Sequence, residues 1–380
     1  MTDGTSDTDP HRDMLDALAA RGRLRALTPR RGLDFTSNDY LGLAESQALR
    51  AAAEEALARG VPLGAGGSRL LRGNHPEHEA LEDEAAAFFG SQTALYFPTG
   101  YAANAAIAAT LPQRGDLIVH DALIHASLRA GLDPARIEAR EAPHNDVAAM
   151  EDVIRAWRAA GGTGRVWIAV ETLYSMDGDR APLADLVALA ARHDAMLLLD
   201  EAHATGVYGE QGRGLGAAQE GAANIISLHT CGKGLGAAGA LVCLPRLYRD
   251  VMVNRGRAFI YSTAPSPLMA AVVRAALKLC AGADAARALL VARIARAGDH
   301  ARRLGIAPSG SQIQPVIVGA DTAATGLAGA LQAQGFDIRA IRPPTVPEGT
   351  ARLRVALSLN VDEDAIDALF AAMAAQMVTA

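Results

Sequence analysis

Only two lysines, Lys233 and Lys278, occur among the 36 basic residues of this 380-residue chain, so chemistry that needs a lysine amine has two candidates. Lys233 lies in the segment HTCGKGLG (229–236), directly after the apolar run NIISL (224–228). Glycines on both sides let a ligand approach the backbone closely, and a half-buried lysine can act as a Schiff-base nucleophile. The alternative is an ordinary loop lysine. Lys278 lies in a predicted helix without catalytic neighbours, which is typical of a surface side chain.

An acid and a histidine follow another apolar run. Asp200 ends the run AMLLLD (195–200), and His203 comes three residues later. A carboxylate at the end of a buried strand is costly unless a cation pairs with it. Asp200 is therefore a candidate partner for a charged ligand, with His203 facing the same ligand. A role for Asp200 as the cap of the next helix is an equally good interpretation of this segment alone.

Polar or glycine-containing segments follow three further predicted strands. The segment PTGYAAN (98–104) precedes an alanine-rich helix whose first N–H groups can bind phosphate, with Tyr101 closing over the site. His125 offers a flat ring that can stack on an aromatic cofactor, and Ser175 lies in a polar turn at the same edge. Taken singly, each segment is equally compatible with a plain turn or a core residue.

The combination of these features is more specific than any one of them. A phosphate-binding helix start, a stacking histidine, a strand-end aspartate with a nearby histidine and a glycine-flanked lysine together match the needs of pyridoxal phosphate. The lysine would bind the cofactor's aldehyde, and the aspartate would keep its pyridine nitrogen protonated. The protein would supply orientation and electrostatics, and the cofactor would supply the carbanion chemistry.

The elements that must position these residues alternate along the chain. Short apolar runs are separated by alanine-rich helical stretches, notably 147–160, 182–193 and 268–297. This alternation predicts an α/β fold with a mostly parallel sheet between layers of helices, and ligands of such sheets gather at the carboxyl ends of the strands. The apolar runs are TALYF (93–97), DLIVH (116–120), RVWIAVE (165–171), AMLLLD (195–200), NIISL (224–228) and ALVCL (240–244).

The domain prediction has three parts. Residues 1–45 form an N-terminal tail and helical arm, in which residues 1–10 are disordered and a helix runs from about Arg12 to Leu27. Residues 46–277 form the large cofactor-binding domain. Residues 278–380 form a smaller C-terminal α+β domain with strands at 312–319, 336–341 and 351–358 and a closing helix from about 362 to 376.

Composition excludes several classes of protein. Half of the residues are hydrophobic, which is enough for a large core, and a net charge of -6 argues against a nucleic-acid binder. The three cysteines form no CxxC pair, so neither a disulfide scaffold nor a metal site is expected, and a reducing cytoplasm fits. No apolar run approaches the roughly 20 residues that span a bilayer, so no membrane partner is expected.

The sequence resembles the α-oxoamine synthase family of fold-type I pyridoxal phosphate enzymes from about residue 12 to the end. The family has an aspartate aminotransferase-like fold, with a seven-stranded type of sheet in the large domain. The resemblance rests on these segments: FTSNDYLGLA (35–44), GAGGSRLLRGNHPEHEALE (64–82), YFPTGYAANAA (96–106), HDALIHASL (120–128), YSMDGD (174–179), LLLDEAHATGVYG (197–209), HTCGKGLG (229–236), YSTAPSP (261–267) and IRPPTVPEGTARLRVALS (341–358).

The resemblance implies a role for each matching residue. Lys233 would hold the cofactor covalently, Asp200 would pair with the pyridine nitrogen, His203 would bind the ring's phenolic oxygen, and His125 would stack on the ring. The other implied cofactor contacts are Gly100, Tyr101, Ser175, Thr230 near the phosphate, and Ser262 or Thr263 reaching the phosphate of a neighbouring subunit. The implied substrate contacts are His125, Arg354 at the amino acid's carboxylate, Thr345 at the acyl chain, and Arg25 or its neighbour Arg23.

The resemblance also implies a reaction. The RPPTVP loop, the basic N-terminal arm and the GAGGSRLLRGNHP segment (64–76) most resemble the biotin-pathway members of the family. Those members join L-alanine to a pimeloyl thioester and release carbon dioxide and the thiol. The thiol carrier is coenzyme A or acyl carrier protein, and the enzyme would be a homodimer with a shared active site. A terminal pimeloyl carboxylate would suit Arg25 or Arg342. The alternatives are relatives of the 2-amino-3-oxobutyrate CoA ligase, 5-aminolevulinate synthase or serine palmitoyltransferase type and, in another class, a non-catalytic α/β binding protein.

Overall fold

The structure is a computed structural model that describes residues 9–133 and 137–378. It contains two compact units. The large unit comprises Asn38–Ser175 and Asp179–Leu290, and the small unit comprises Met1–Ser37, Met176–Gly178 and Val291–Ala380. Most of the predicted disordered tail, residues 1–10, lies outside the described residues.

The described residues form thirteen α-helices and twelve strands, with short 3₁₀ turns at Glu210–Gly212 and Ala217–Gln219. In chain order they are α1 (Pro10–Ala20), β1 (Leu33–Asp34), α2 (Gln47–Ala58), α3 (Pro76–Phe89), β2 (Thr93–Phe97), α4 (Gly100–Thr110), β3 (Leu117–Asp121), α5 (Ala126–Gly131), β4 (Glu138–Ala142), α6 (Val147–Ala159), β5 (Val166–Glu171), α7 (Leu183–Arg192), β6 (Met196–Asp200), β7 (Ile225–Thr230), β8 (Ala240–Leu244), α8 (Arg246–Arg255), α9 (Arg257–Ile260), α10 (Pro267–Ala281), α11 (Asp284–Arg303), β9 (Ile313–Gly319), α12 (Asp321–Gln332), β10 (Phe336–Asp337), β11 (Ala340–Ile341), β12 (Ala351–Ala356) and α13 (Glu363–Val378).

The large unit is built on a seven-stranded sheet with the order β2-β8-β7-β6-β5-β3-β4. Strands β4, β3, β5, β6 and β7 pair in parallel, whereas β8 is antiparallel to both β7 and β2. The prediction of an α/β fold with a mostly parallel sheet is confirmed. All residues of β2, β3, β5, β7 and β8 are buried, as expected for strands that are covered on both faces.

Helices pack on both faces of this sheet because the strands present apolar side chains alternately to each side. On one face, α4 packs with α8 and α9 through buried residues such as Ile107, Met252 and Phe259. On the other face, α6 and α7 form one apolar cluster, and α3 and α10 form another. This burial holds the strands in register and fixes the positions of their carboxyl ends.

Several element boundaries differ from those predicted. Helix α1 ends at Ala20 rather than at Leu27, and Gly22 has a φ of +66°, which the helix cannot accommodate. Strand β4 was not predicted because it is an edge strand with the charged sequence EAREA. The helical stretch predicted at 268–297 is two helices, α10 and α11, and the strand predicted at 336–341 is divided into β10 and β11.

The small unit contains an antiparallel sheet with the order β11-β12-β9 and a separate parallel pair formed by β1 and β10. The closing helix α13 contacts α12. Arg354 lies on β12 opposite Pro315 of β9 and is 7% exposed. Among the described residues, no helix has both the length and the apolar character needed to cross a membrane.

Gly239 is a position where the backbone requires glycine. Its φ is +94°, and a Cβ atom there would lie 2.4 Å from the buried ring of Tyr96. We expect Gly239→Ala to destabilise the protein through backbone strain of about 1–2 kcal/mol and overpacking of about 1–3 kcal/mol. Gly60→Ala is the matched control, because Gly60 has a φ of +78° and no atom within 4 Å of the added Cβ. Urea unfolding measures the free energy of unfolding of both variants. Equal losses of this free energy in the two variants would contradict this account of Gly239.

Candidate active site

A cavity of about 170 Å³ opens in the large unit where β5, β6 and β7 end. It brings together side chains that are far apart in the chain. Seven of the predicted site residues line it, namely Gly100, Tyr101, His125, Asp200, His203, Thr230 and Lys233. Asn104, Ser127 and Glu171 also line it and were not predicted.

Lys233 is held by a chain of hydrogen bonds. Its Nζ lies 2.7 Å from His203 Nε2, and His203 Nδ1 lies 2.6 Å from the hydroxyl of Tyr40. Tyr40 donates its hydroxyl hydrogen to Asn38 Oδ1 at 3.0 Å. His203 therefore donates from Nδ1 to Tyr40 and accepts at Nε2 from Lys233. This arrangement fixes the half-buried amine in the cavity and orients the His203 ring.

The glycine after Lys233 allows its loop to lie directly against the turn that carries His203. A Cβ atom at Gly234 would lie 2.4 Å from the carbonyl oxygen of Thr205, and one at Gly206 would lie 3.1 Å from the Gly234 backbone. Gly206 also has a φ of +88°. The glycines thus allow the backbone of the Lys233 loop to pack closely against the turn that carries His203. That packing brings Lys233 and His203 within hydrogen-bonding distance.

A second chain of hydrogen bonds links Asp200 to His125. Asn104 donates from Nδ2 to Asp200 Oδ2 at 2.7 Å and to Ser127 Oγ at 3.0 Å. Ser127 Oγ lies 2.7 Å from His125 Nδ1, which also accepts from the Ser127 N–H. His125 is therefore the Nε2–H tautomer when it is neutral. Asp200 Oδ1 accepts from the backbone N–H of Ala202 at 2.9 Å, so both of its oxygens are oriented.

The turn before α4 has the form of an anion site. Thr99 caps the helix, because its hydroxyl accepts from the Ala102 N–H at 3.1 Å. The first N–H groups of a helix carry partial positive charge and bind phosphate readily. Gly100 begins the helix, and a Cβ atom on it would lie 3.6 Å from Thr230 Oγ1, so Thr230 faces the same helix start.

Glu171 adds an unusual carboxyl group to the cavity. It is 3% exposed, and it is the register partner of Asp200 on the adjacent parallel strand. Its Oε2 accepts from the Ser175 N–H at 2.9 Å, while Oε1 is buried without a hydrogen bond in the described structure. Burial, with a further contribution from the charge of Asp200, raises the pKa of Glu171 from its usual range to about 8.

The remaining predicted residues lie outside this cavity. The backbone N–H of Ser175 donates a hydrogen bond to Glu171, which lines the cavity. Thr263 is exposed on the loop before α10. Arg25, Thr345 and Arg354 belong to the small unit. Their roles, like those of the residues that line the cavity, stay predictions.

Within the small unit, the two arginines of the N-terminal arm differ in their contacts. Arg23 is committed to carboxylates, at 2.6 Å from Asp321 and 2.5 Å from Glu348, which raise its pKa. Arg25 is exposed and donates to Thr345 Oγ1 at 3.3 Å. Arg25 and Arg23 both border a cavity of about 530 Å³ with Leu15, Leu18, Leu24 and residues of the 343–348 loop.

Replacing Glu171 should change the pH dependence of stability. The unfolded carboxyl ionises near 4.5 and the folded one near 8, so the cofactor-free protein should lose stability as the pH rises between these values. Glu171→Gln should remove this loss. Glu54→Gln, at an exposed carboxylate, is the control and should keep the wild-type pH dependence. Urea unfolding midpoints are measured for each protein at several pH values. Parallel changes of the midpoint in wild type and Glu171→Gln would contradict the account.

Comparison with known proteins identifies the family of the chain. The family described as Aminotransferase class I and II matches residues 30–373. The 8-amino-7-oxononanoate synthase of Herminiimonas arsenicoxydans is 42% identical, over 90% of this chain and 89% of that protein.

Solved structures share the fold. A serine palmitoyltransferase of Sphingomonas wittichii superposes with a TM-score of 0.87 at 28% identity, over 98% of each chain. The 8-amino-7-oxononanoate synthase of Francisella tularensis superposes with a TM-score of 0.78 at 25% identity, over 92% of this chain and 98% of that chain. The chain belongs to the class I and II aminotransferase family, and within it to the 8-amino-7-oxononanoate synthases.

Proposed function

We propose that this protein is a pyridoxal phosphate-dependent acyltransferase of biotin synthesis. It condenses L-alanine with a pimeloyl thioester to give 8-amino-7-oxononanoate, carbon dioxide and the free thiol. The observation that carries the proposal is the position of Lys233, 2.7 Å from His203 in a cavity that Asp200 also lines. The 42% identity to a curated 8-amino-7-oxononanoate synthase supports the choice of substrates.

The donor set of the cavity fits pyridoxal phosphate. A carboxylate suits the pyridinium nitrogen, a helix start with a nearby threonine suits the phosphate, and a lysine amine suits the aldehyde. Asp200, the α4 start with Thr230, and Lys233 supply these groups. When bound, the cofactor supplies a ring that accepts the electrons of a carbanion at the α-carbon of the amino acid.

Asp200 and His125 act as fixed partners of the cofactor ring. The carboxylate of Asp200 holds a proton on the pyridine nitrogen, since an opposite charge within a few ångströms favours the protonated form. Asn104 keeps this carboxylate in place and, through Ser127, also orients the ring of His125. His125 would then stack its flat face on the ring and offer its Nε2–H to the substrate.

Lys233 has two tasks. Its amine would hold the cofactor through the aldehyde. It then removes the α-proton of alanine and returns a proton after carbon dioxide has left. A general base of this kind must be within hydrogen-bond reach of the proton. His203 Nε2 lies 2.7 Å from the amine of Lys233, and in the cofactor-loaded protein it would be the partner of the cofactor's phenolic oxygen.

We assign the terminal carboxylate of the pimeloyl group to Arg25. Arg23 is paired with Asp321 and Glu348, and Arg342 donates to the carbonyl oxygen of Gly22. Arg25 is exposed and contacts Thr345, the residue expected at the acyl chain. Arg354 is the proposed partner of the amino acid's carboxylate, for which the bidentate guanidinium fork is suited.

The protein is proposed to act in the cytoplasm as a homodimer with a shared site. Its three cysteines are free and buried, which is compatible with a reducing compartment. Ser262 and Thr263 follow the exposed Tyr261, in a segment that a neighbouring subunit can reach. In this proposal the hydroxyl of Ser262 or Thr263 contacts the phosphate of the partner's cofactor.

Substrate choice tests the proposed function. Purified protein is offered alanine, glycine and serine, each with pimeloyl, acetyl, succinyl and palmitoyl thioesters, and thiol release is measured. We expect a strong preference for alanine with pimeloyl thioester. Pimeloyl-CoA and pimeloyl-acyl carrier protein are compared in separate arms. Preference for glycine with acetyl-CoA, or for serine with palmitoyl-CoA, would overturn the proposal in favour of another α-oxoamine synthase activity.

The two lysines of the chain provide a matched pair of variants. Lys233→Ala should lose the near-visible absorbance of the lysine-bound cofactor and at least about 100-fold in turnover, because its acid–base role is lost. Lys278→Ala should keep both, since Lys278 is exposed on α10. Full turnover in Lys233→Ala would contradict the mechanism and favour a protein whose cofactor is held in another way.

A further inference from the structure

A second group of ionisable side chains lies on the face of β7 opposite the proposed cofactor cavity. Leu228 and Thr230 line the cavity, so the alternating residues Ser227 and His229 point to the other face. There His229 meets Glu220 and Cys243. Their nitrogen, oxygen and sulfur atoms all lie within 4.8 Å of one another, and this is the one such group of three among the described residues.

The cluster is closed off from water. The side chain of His229 is 0% exposed, that of Glu220 is 3% exposed, and Cys243 is buried. Phe89 stacks on the His229 ring at 3.7 Å between centroids. Glu220 itself lies in a surface segment whose next residues, 221–223, are exposed, so a small ion has a short path to the site.

Hydrogen bonds determine which nitrogen of His229 faces the cluster. Thr205 donates its only hydroxyl hydrogen to the carbonyl oxygen of Glu201 at 2.8 Å. His229 Nδ1, 2.9 Å from Thr205 Oγ1, must therefore donate to it. Histidines that bind metals are oriented in this way, with one ring N–H donated to a neighbouring group and the other nitrogen free for the ion. Nε2 is the nitrogen that faces Glu220 and Ser227.

One oxygen of the Glu220 carboxylate lacks the hydrogen bond that a buried carboxylate oxygen needs. Its Oε1 makes no hydrogen bond in the described structure and lies 3.5 Å from His229 Nε2. The hydroxyl of Ser227, 2.9 Å from Nε2, can donate to the ring nitrogen but leaves Oε1 unsatisfied. A buried carboxylate oxygen without a donor or a cation is costly. A cation between the three side chains would remove that cost.

We propose that Glu220, His229 and Cys243 form a structural binding site for a divalent transition-metal ion of the zinc type. Zinc binds imidazole nitrogen, carboxylate oxygen and thiolate sulfur together, whereas Mg²⁺ and Ca²⁺ prefer oxygen alone. Two ligand atoms at about 2.0–2.1 Å from a tetrahedral zinc ion are about 3.4 Å apart. The 3.5 Å separation of Oε1 and Nε2 matches this edge and is longer than an ordinary hydrogen bond.

Sequence spacing predicts no such site, because only one of the three ligands is a cysteine and no CxxC is present. The fold assembles it from β7, β8 and the segment after the second 3₁₀ turn. Metal binding would link β7, β8 and this segment on the face of β7 opposite the cofactor cavity. The proposal is independent of the proposed enzyme activity, since none of the three ligands lines the cofactor cavity.

Metal binding by the cofactor-loaded protein tests the proposal. The protein is treated with a chelator, dialysed and titrated with Zn²⁺, and with Co²⁺ as a spectroscopic probe. We expect one Zn²⁺ per chain and a near-ultraviolet thiolate-to-Co²⁺ absorption band. Cys243→Ala should lose both. Cys280→Ala is the control and should keep both, because Cys280 is an equally buried thiol that bonds to the Gln211 carbonyl instead.

Two results would overturn the proposal. One is the absence of the thiolate band in wild type, which would show that the sulfur of Cys243 does not bind the ion. The other is unchanged Zn²⁺ affinity in Cys243→Ala. If that variant does not fold, Glu220→Gln replaces it. It should weaken Zn²⁺ binding at least about 10-fold, because loss of a ligand costs no less than loss of an outer-shell partner of a ligand. Zn²⁺ should also raise the melting temperature of wild type but not of Glu220→Gln, and equal shifts in the two would again overturn the proposal.

Discussion

The parallel pairing of β3, β5, β6 and β7 is the constraint on which the candidate site depends. Each of these strands is largely apolar and buried, and polar residues at or just after its carboxyl end line or border the cavity. Since parallel strands end at the same edge of a sheet, the residues after them converge there. The register Glu171–Asp200 shows this directly, because two carboxyl groups 29 positions apart become neighbours. A shift of that register by one residue would turn them to opposite faces.

Within this frame, two chains of hydrogen bonds meet at the cavity. One runs from Lys233 through His203 and Tyr40, and the other runs from Asp200 through Asn104 and Ser127 to His125. Both orient rings and charged groups before any ligand arrives, so less reorganisation is needed on binding. The same strand β7 also carries His229 on its other face. Alternate side chains of β7 therefore contribute to two chemically distinct groups, one around Lys233 and one around Cys243.

Much of this arrangement could be predicted from sequence, for identifiable reasons. Strands such as TALYF are continuous apolar runs between turn signals, and Lys233 and Asp200 stand out because they directly follow such runs. Strand β4 could not be found in this way, because its edge position leaves charged residues in place of an apolar run. Asn104 and Tyr40 lay within recognised segments, but their roles depend on partners 96 and 163 positions away. Glu171 was the exception that could have been found, since it ends a buried strand just as Asp200 does.

The central claim is that the strand ends of this sheet deliver one particular lysine to a pyridoxal phosphate site. Reduction of the cofactor-loaded protein with borohydride, followed by peptide mass spectrometry, tests this claim most directly. The account predicts a stable cofactor adduct on the peptide that contains Lys233 and none on the peptide that contains Lys278. An adduct on Lys278, or a coloured protein that yields no lysine adduct, would contradict it.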